Sequence, residues 1–127
     1  MPKEPLAIAR AVFDAYVAKD RPAIELLVAP DFHFTSPLDN RLDRATYFTR
    51  CWPNSESVRA FEYRELFAHG DRVWVTYVAS NVDGHCFQNT EVLTIREGQL
   101  VDVEVYFGWS VPHPAALGGF VDAKGTS

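Results

Sequence analysis

The stretch from Asn89 to Gly108, NTEVLTIREGQLVDVEVYFG, constrains the fold more than any other. Two runs of β-branched and aromatic residues flank Arg96-Glu97-Gly98-Gln99, a tight polar turn with glycine at its centre. That pattern predicts a β-hairpin. Before the turn, Asn89, Glu91, Leu93 and Ile95 share one face of the strand. After it, Asp102, Glu104 and Tyr106 alternate with Val101, Val103, Val105 and Phe107. The second strand thus has one wholly apolar face and one that mixes carboxylates with an aromatic ring. Either Asp102 and Glu104 are solvated, or the sheet curls around a partly polar pocket.

The preceding residues change period near residue 58. Upstream, Leu6, Ala9, Phe13, Tyr16 and Val17 recur at three- and four-residue steps, which predicts an amphipathic helix over Pro5–Ala18. Asp20 can cap a short second helix that holds Pro22 in its first turn and that Pro30 stops. Asp31 to Pro37 reads as a short strand, LDNRLD as a loop, and Arg44 to Cys51 as a third helix capped by Asp43 and burying Tyr47 and Phe48. Downstream, Val58–His69 and Val73–Val82 read as strands, separated by a turn at Gly70, and Asp83-Gly84 is a strong hairpin signal before the opening stretch. Helices first and a four-stranded antiparallel meander after them predict an α+β domain. Its expected extent is residues 1–127, with 108–127 as a C-terminal lip and tail.

Composition narrows the function classes. The 127 residues are 47% hydrophobic and 23% charged, with a net charge of −5, which suits one globular domain. The chain has no run of Lys and Arg, so nucleic acid is not an expected partner. No window nears 18 uninterrupted apolar residues, so no membrane span is expected. The first residues lack a basic region followed by an unbroken apolar run, and no secretory signal is expected. Cys51 and Cys86 show no spacing motif and read as free thiols in a reducing cytoplasm. The four histidines are scattered without metal-ligand spacing, and no nucleophile elbow or phosphate-cradling glycine loop occurs, so neither a metal nor a cofactor is expected.

Several segments, taken in order, resemble the nuclear-transport-factor-two-like superfamily, also called the SnoaL-like or cystatin-like α+β roll. They are Ala15-Tyr16-Val17-Ala18-Lys19-Asp20, Pro30-Asp31-Phe32-His33-Phe34, Ser36-Pro37, Arg96-Glu97-Gly98-Gln99-Leu100 and Val105-Tyr106-Phe107. The resemblance implies N-terminal helices packed on a strongly curved antiparallel sheet that encloses a cone-shaped cavity. It also implies a small hydrophobic ligand. The fold hosts many functions, so it fixes none of them. Ketosteroid isomerase, a member, uses a carboxylate base with an oxyanion hole of a tyrosine and a protonated aspartic acid. Aligned on these motifs, Val12 stands in this chain where the tyrosine would be and Ser36 where the base would be. Glu91 falls near the protonated acid.

Glu91 shares its face with Leu93 and Ile95, and desolvation among such groups makes it a candidate acid. A regular pairing centred on Glu97–Gly98 sets Glu104 opposite it, so Glu91 and Glu104 are the candidate catalytic pair. Tyr16, Asp39, Tyr106 and Asn89 are the expected polar binding groups, with Asp39 a reserve base. Phe32, Phe34, Tyr47, Trp52 and Trp109 are the expected aromatic lining. Val101, Val103, Val105 and Phe107 would then form a convex apolar face covered in a homodimer. The reaction this would support is cofactor-free isomerisation, cyclisation or dehydration. The alternative is a non-catalytic ligand-binding or dimeric adaptor domain.

Overall fold

The computed structural model describes residues 4–122. Three helices pack against one six-stranded mixed sheet that does not close on itself. Helix α1 spans Pro5–Ala18, with Pro5 in the first turn, where a missing N–H leaves no bond unmade. Ile8, Ala9, Val12, Phe13 and Ala15 form its buried face. Each large side chain so buried contributes about 1.5–3 kcal/mol by leaving water. The helix ends at Lys19, whose φ of 57° is left-handed, and the Asp20 N–H closes back on the Ala15 carbonyl at 2.9 Å. The Lys19 ammonium donates to the Val58 carbonyl at 2.9 Å and so ties the helix end to the sheet.

Asp20 caps α2, Arg21–Leu27, by accepting from the Ala23 N–H at 3.1 Å. Strand β1 then runs Val28–Ser36 and β2 Asp39–Asp43. Two expectations change here. Pro30 does not end a helix, because the chain is already extended from Val28. It lies where β1 breaks register, so its missing N–H is tolerated. LDNRLD is mostly strand rather than loop. β2 pairs only with β1, at the sheet edge, where a polar sequence can leave one side to water. Helix α3, Arg44–Arg50, is capped by Asp43, which accepts from the Thr46 N–H at 2.9 Å. It buries Tyr47 and Phe48, and a 3-10 turn at Trp52–Ser57 leads to the meander.

The meander is β3 Val58–His69, β4 Arg72–Asn81, β5 Cys86–Arg96 and β6 Gln99–Ser110. Strand order is β2-β1-β6-β5-β4-β3, and β1 lies parallel to β6 while every other pairing is antiparallel. Glu97 and Gly98 form the turn with φ of 55° and 76°, both positive as a type I′ hairpin requires. β6 continues through Gly108 to Ser110, so the strand takes the first residues of the expected lip. Residues 111–122 have no helix or strand, and the end of the expected tail lies outside the described residues.

Two bulges in the β5–β6 ladder set which residues face the helices. Arg96 pairs with Gln99 and Ile95 with Leu100, but Thr94 pairs with Asp102, so Val101 is an extra residue. From there Leu93 opposes Val103, Glu91 opposes Val105, and Glu104 opposes Val92. Val103 and Val105 therefore turn inward, and Asp102, Glu104 and Tyr106 turn out. Beyond Val101, which stays outside, the expected faces are exchanged, and the convex apolar stripe expected to carry a dimer does not exist in that form. Gly108 is the second extra residue, between the Asn89–Phe107 and Gln88–Trp109 pairs.

Candidate functional site

The inner face of the sheet and the inner sides of α1 and α3 bound a cavity of about 850 Å³ that is partly open to solvent. Nine of its 27 lining residues are aromatic. Phe13 from α1 meets Phe61 edge-on at 4.9 Å and Tyr77 at 5.4 Å, and Phe34 packs on Tyr47 at 5.3 Å. Leu38, Phe107 and Trp109 stand exposed around the mouth.

Two carboxyl groups line the cavity, Glu91 and Asp39. Glu91 is carried on β5 between Asn89 and Leu93, which share its inward face. Opposite it on β6 is Val105, and on β4 Val75. The Tyr77 hydroxyl donates to Glu91 Oε2 at 2.6 Å. Burial pushes the Glu91 carboxyl up to about 7, with the Tyr77 hydrogen bond pulling the other way. The group is thus divided between acid and carboxylate near neutral pH. Tyr77 is held well above its ordinary value by burial and by the Glu91 charge, so it remains a donor.

Two further hydroxyls face the same space. Tyr16 from α1 and Tyr47 from α3 share a short hydrogen bond. Burial raises both, the Tyr16 hydroxyl also feels Glu91, and neither ionises at neutral pH. One proton lies between the two oxygens, which leaves the other free to donate. Tyr16 is the more exposed of the pair and is wedged against Trp52 at 4.8 Å.

At the mouth, Asp39 accepts from Ser36 Oγ at 2.7 Å and from Arg50 Nε. The Ser36 bond first, and then Arg50, hold its carboxyl below the usual range. A carboxylate so occupied is a weak base. Cys51 also lines the cavity, and burial pushes its thiol up to about 11.

The expected residues divide by place. Glu91, Tyr16, Phe34, Asp39, Tyr47, Asn89 and Trp109 line the cavity. Phe32 and Trp52 lie behind that lining, Phe32 against the Tyr47 ring at 4.9 Å. Glu104 and Tyr106 do not join it. Both are on the outer face, where Tyr106 is half exposed and Glu104 lies 3.8 Å from Arg72. The bulge at Val101 is the reason. The sequence did carry a signal for it, since regular pairing would oppose apolar Leu93 to Asp102, whereas one extra residue matches it to Val103. Tyr77 is the site residue the sequence reading missed. Its hydroxyl interrupts an apolar run of Val73, Val75 and Ala79 on a face that ends at Asn81, and that interruption was visible. Among the described residues no group of three or more His, Cys, Asp or Glu could hold a metal ion. No helix among them is long and apolar enough to cross a membrane.

Residues 9–103 match the SnoaL-like domain. The chain belongs to that family. No curated protein matches this SnoaL-like chain. Solved structures of the same fold are numerous. A candidate ketosteroid isomerase from Kribbella flavida DSM 17836 aligns with a TM-score of 0.72 at 18% identity, covering 93% of this chain and 87% of that one. A candidate polyketide cyclase from Sinorhizobium meliloti gives 0.66 at 23% identity, covering 83% and 94%. An LEH-like epoxide hydrolase from M. tuberculosis gives 0.69 at 16% identity, covering 82% of each. At these identities the likeness is one of fold, and three different named activities share it.

Proposed function

We propose that this SnoaL-like chain binds a small apolar, oxygen-bearing molecule and moves a proton on it with Glu91, without a cofactor. One observation supports this above the rest: the Glu91 carboxyl is held near neutral proton affinity and bonded to Tyr77, whereas Asp39 in the same lining is taken up by Ser36 and Arg50. A ligand carbonyl facing Tyr16 would receive that hydroxyl's proton as a hydrogen bond. Glu91 would take a proton from the adjacent carbon and return it elsewhere, with the developing oxyanion stabilised by the Tyr16–Tyr47 pair. Isomerisation, cyclisation and dehydration all use such a step. The relatives' names include an isomerase, a cyclase and an epoxide hydrolase, which agrees with small-molecule chemistry.

The second reading, a ligand-binding or dimeric adaptor domain without chemistry, draws support from Glu104. Its place outside the cavity leaves Glu91 without the carboxylate expected opposite it. A homodimer fits either reading, now through the outer face, where Phe67, Trp74 and Tyr106 offer rings to a second copy. A cytoplasmic location completes the proposal, in keeping with two free cysteines.

The test is a thermal-shift screen of steroids, aromatic polyketides and terpenoids, because specific binding raises the melting temperature. Any ligand found is then incubated in heavy water with the wild-type chain and with Glu91→Gln. Exchange of carbon-bound hydrogen that is lost in Glu91→Gln is the expected result. Binding with no exchange in the wild type would favour the second reading.

A further inference from the structure

The hydrogen bonds behind Glu91 run in one direction. Gly108 is the extra residue of the second bulge, and a Cβ there would lie 2.0 Å from the Gln88 carbonyl oxygen. The strands approach more closely than any side chain allows. That approach brings the Gly108 N–H to Asn89 Oδ1 at 3.1 Å. A backbone N–H only donates, so this contact decides which way round the Asn89 amide lies. Its oxygen faces Gly108, and its NH₂ faces the Tyr77 hydroxyl at 3.5 Å. The Tyr77 oxygen accepts there, and its single proton goes to Glu91 Oε2.

We infer that Asn89 is a positioning residue for Glu91: anchored on the Gly108 bulge, it orders the Tyr77 proton onto Oε2 and leaves Oε1 to exchange a proton with a bound ligand. This rests on Glu91 as the acid/base group proposed above and adds the reactive atom and the device that selects it. When Glu91 is protonated, Oε2 already accepts from Tyr77, so the proton sits on Oε1. When it is ionised, the same Tyr77 bond stabilises the charge. Asn89 strengthens that bond by polarising the hydroxyl. Tyr77 from β4 bonds to Glu91, the Glu91 charge is felt by Tyr16 from α1 and Tyr47 from α3, and β6 presents Val105 to it.

The experiment is a carboxyl-carbon NMR titration of Glu91 in the wild type, Asn89→Leu, Tyr77→Phe and the double variant. Asn89→Leu is expected to raise the midpoint by about 0.3–0.5 pH unit, and Tyr77→Phe by more. The double variant should match Tyr77→Phe alone, because Asn89 acts only through that hydroxyl. A midpoint unmoved by Asn89→Leu but moved by Tyr77→Phe would overturn the inference and leave the Glu91 reading standing. So would an Asn89→Leu shift of equal size in the Tyr77→Phe background. An ordinary carboxylate midpoint in the wild type would overturn both. The unmutated protein gives an independent reading, since the Gly108 amide is on an exposed residue. Slow hydrogen exchange there is expected from its bond to Asn89, and exchange at the free-peptide rate would remove the anchor.

Discussion

The two faces of the sheet take the same residue types from the same hairpin and put them in opposite states. Glu91 and Glu104 lie on paired strands, yet Glu91 lines the cavity while the Glu104 side chain is 41% exposed beside Arg72. The inner face also carries Tyr77 and Asn89 in a hydrogen-bonded chain. The outer face carries Arg96–Asp71 at 2.9 Å and Arg72–Glu104 at 3.8 Å, ion pairs that water screens. Chemistry here follows the side of the sheet rather than the residue. One extra residue at Val101 decides that side.

Three substitutions test how deep this asymmetry goes. Phe32→Ala, under the inner face at 0% exposure, should destabilise the fold by about 3–5 kcal/mol in urea unfolding. A cost no larger than that of Tyr106→Ala outside would break the comparison. Glu91→Gln should change the pH dependence. The folded Glu91 carboxyl at about 7 stands above its ordinary value of 4.5, so the stability it contributes is full below pH 4.5 and lost as pH rises through about 7. The variant should therefore exceed the wild type at pH 8 by on the order of 3 kcal/mol, and the gap should shrink to under about 1 kcal/mol at pH 5. Parallel unfolding curves at the two pH values would contradict this. Glu104→Gln should shift stability by no more than about 0.5 kcal/mol. A larger loss at low salt would mean that the outer ion pairs matter more than their exposure suggests.

Much of this was legible from residue pattern. The first helix is readable because Pro5 and the apolar stripe through Phe13 agree, and the hairpin turn because Glu97-Gly98 suits two positive φ values. The polar strand β2 was not readable, because an edge strand needs no apolar alternation. The parallel β1–β6 pairing depends on contacts between residues far apart in the chain, which local periodicity does not record. The site was half legible for a related reason. Glu91 is anomalous on its own face and stands out. The side on which Glu104 lies depends on a single bulge, and alternation alone cannot count bulges.

The three tryptophans occupy three depths of this architecture and so act as optical reporters. Trp52 is buried against Tyr16, Trp109 is half exposed at the cavity mouth, and Trp74 stacks on Phe67 at 5.5 Å on the outer face. A molecule in the cavity would lie against a lining that includes Trp109 and not Trp74. Fluorescence can therefore separate occupation of the interior from association through the exterior, with Trp74→Phe keeping the first signal and Trp109→Phe the second. The protein carries its own means of distinguishing a guest from a partner.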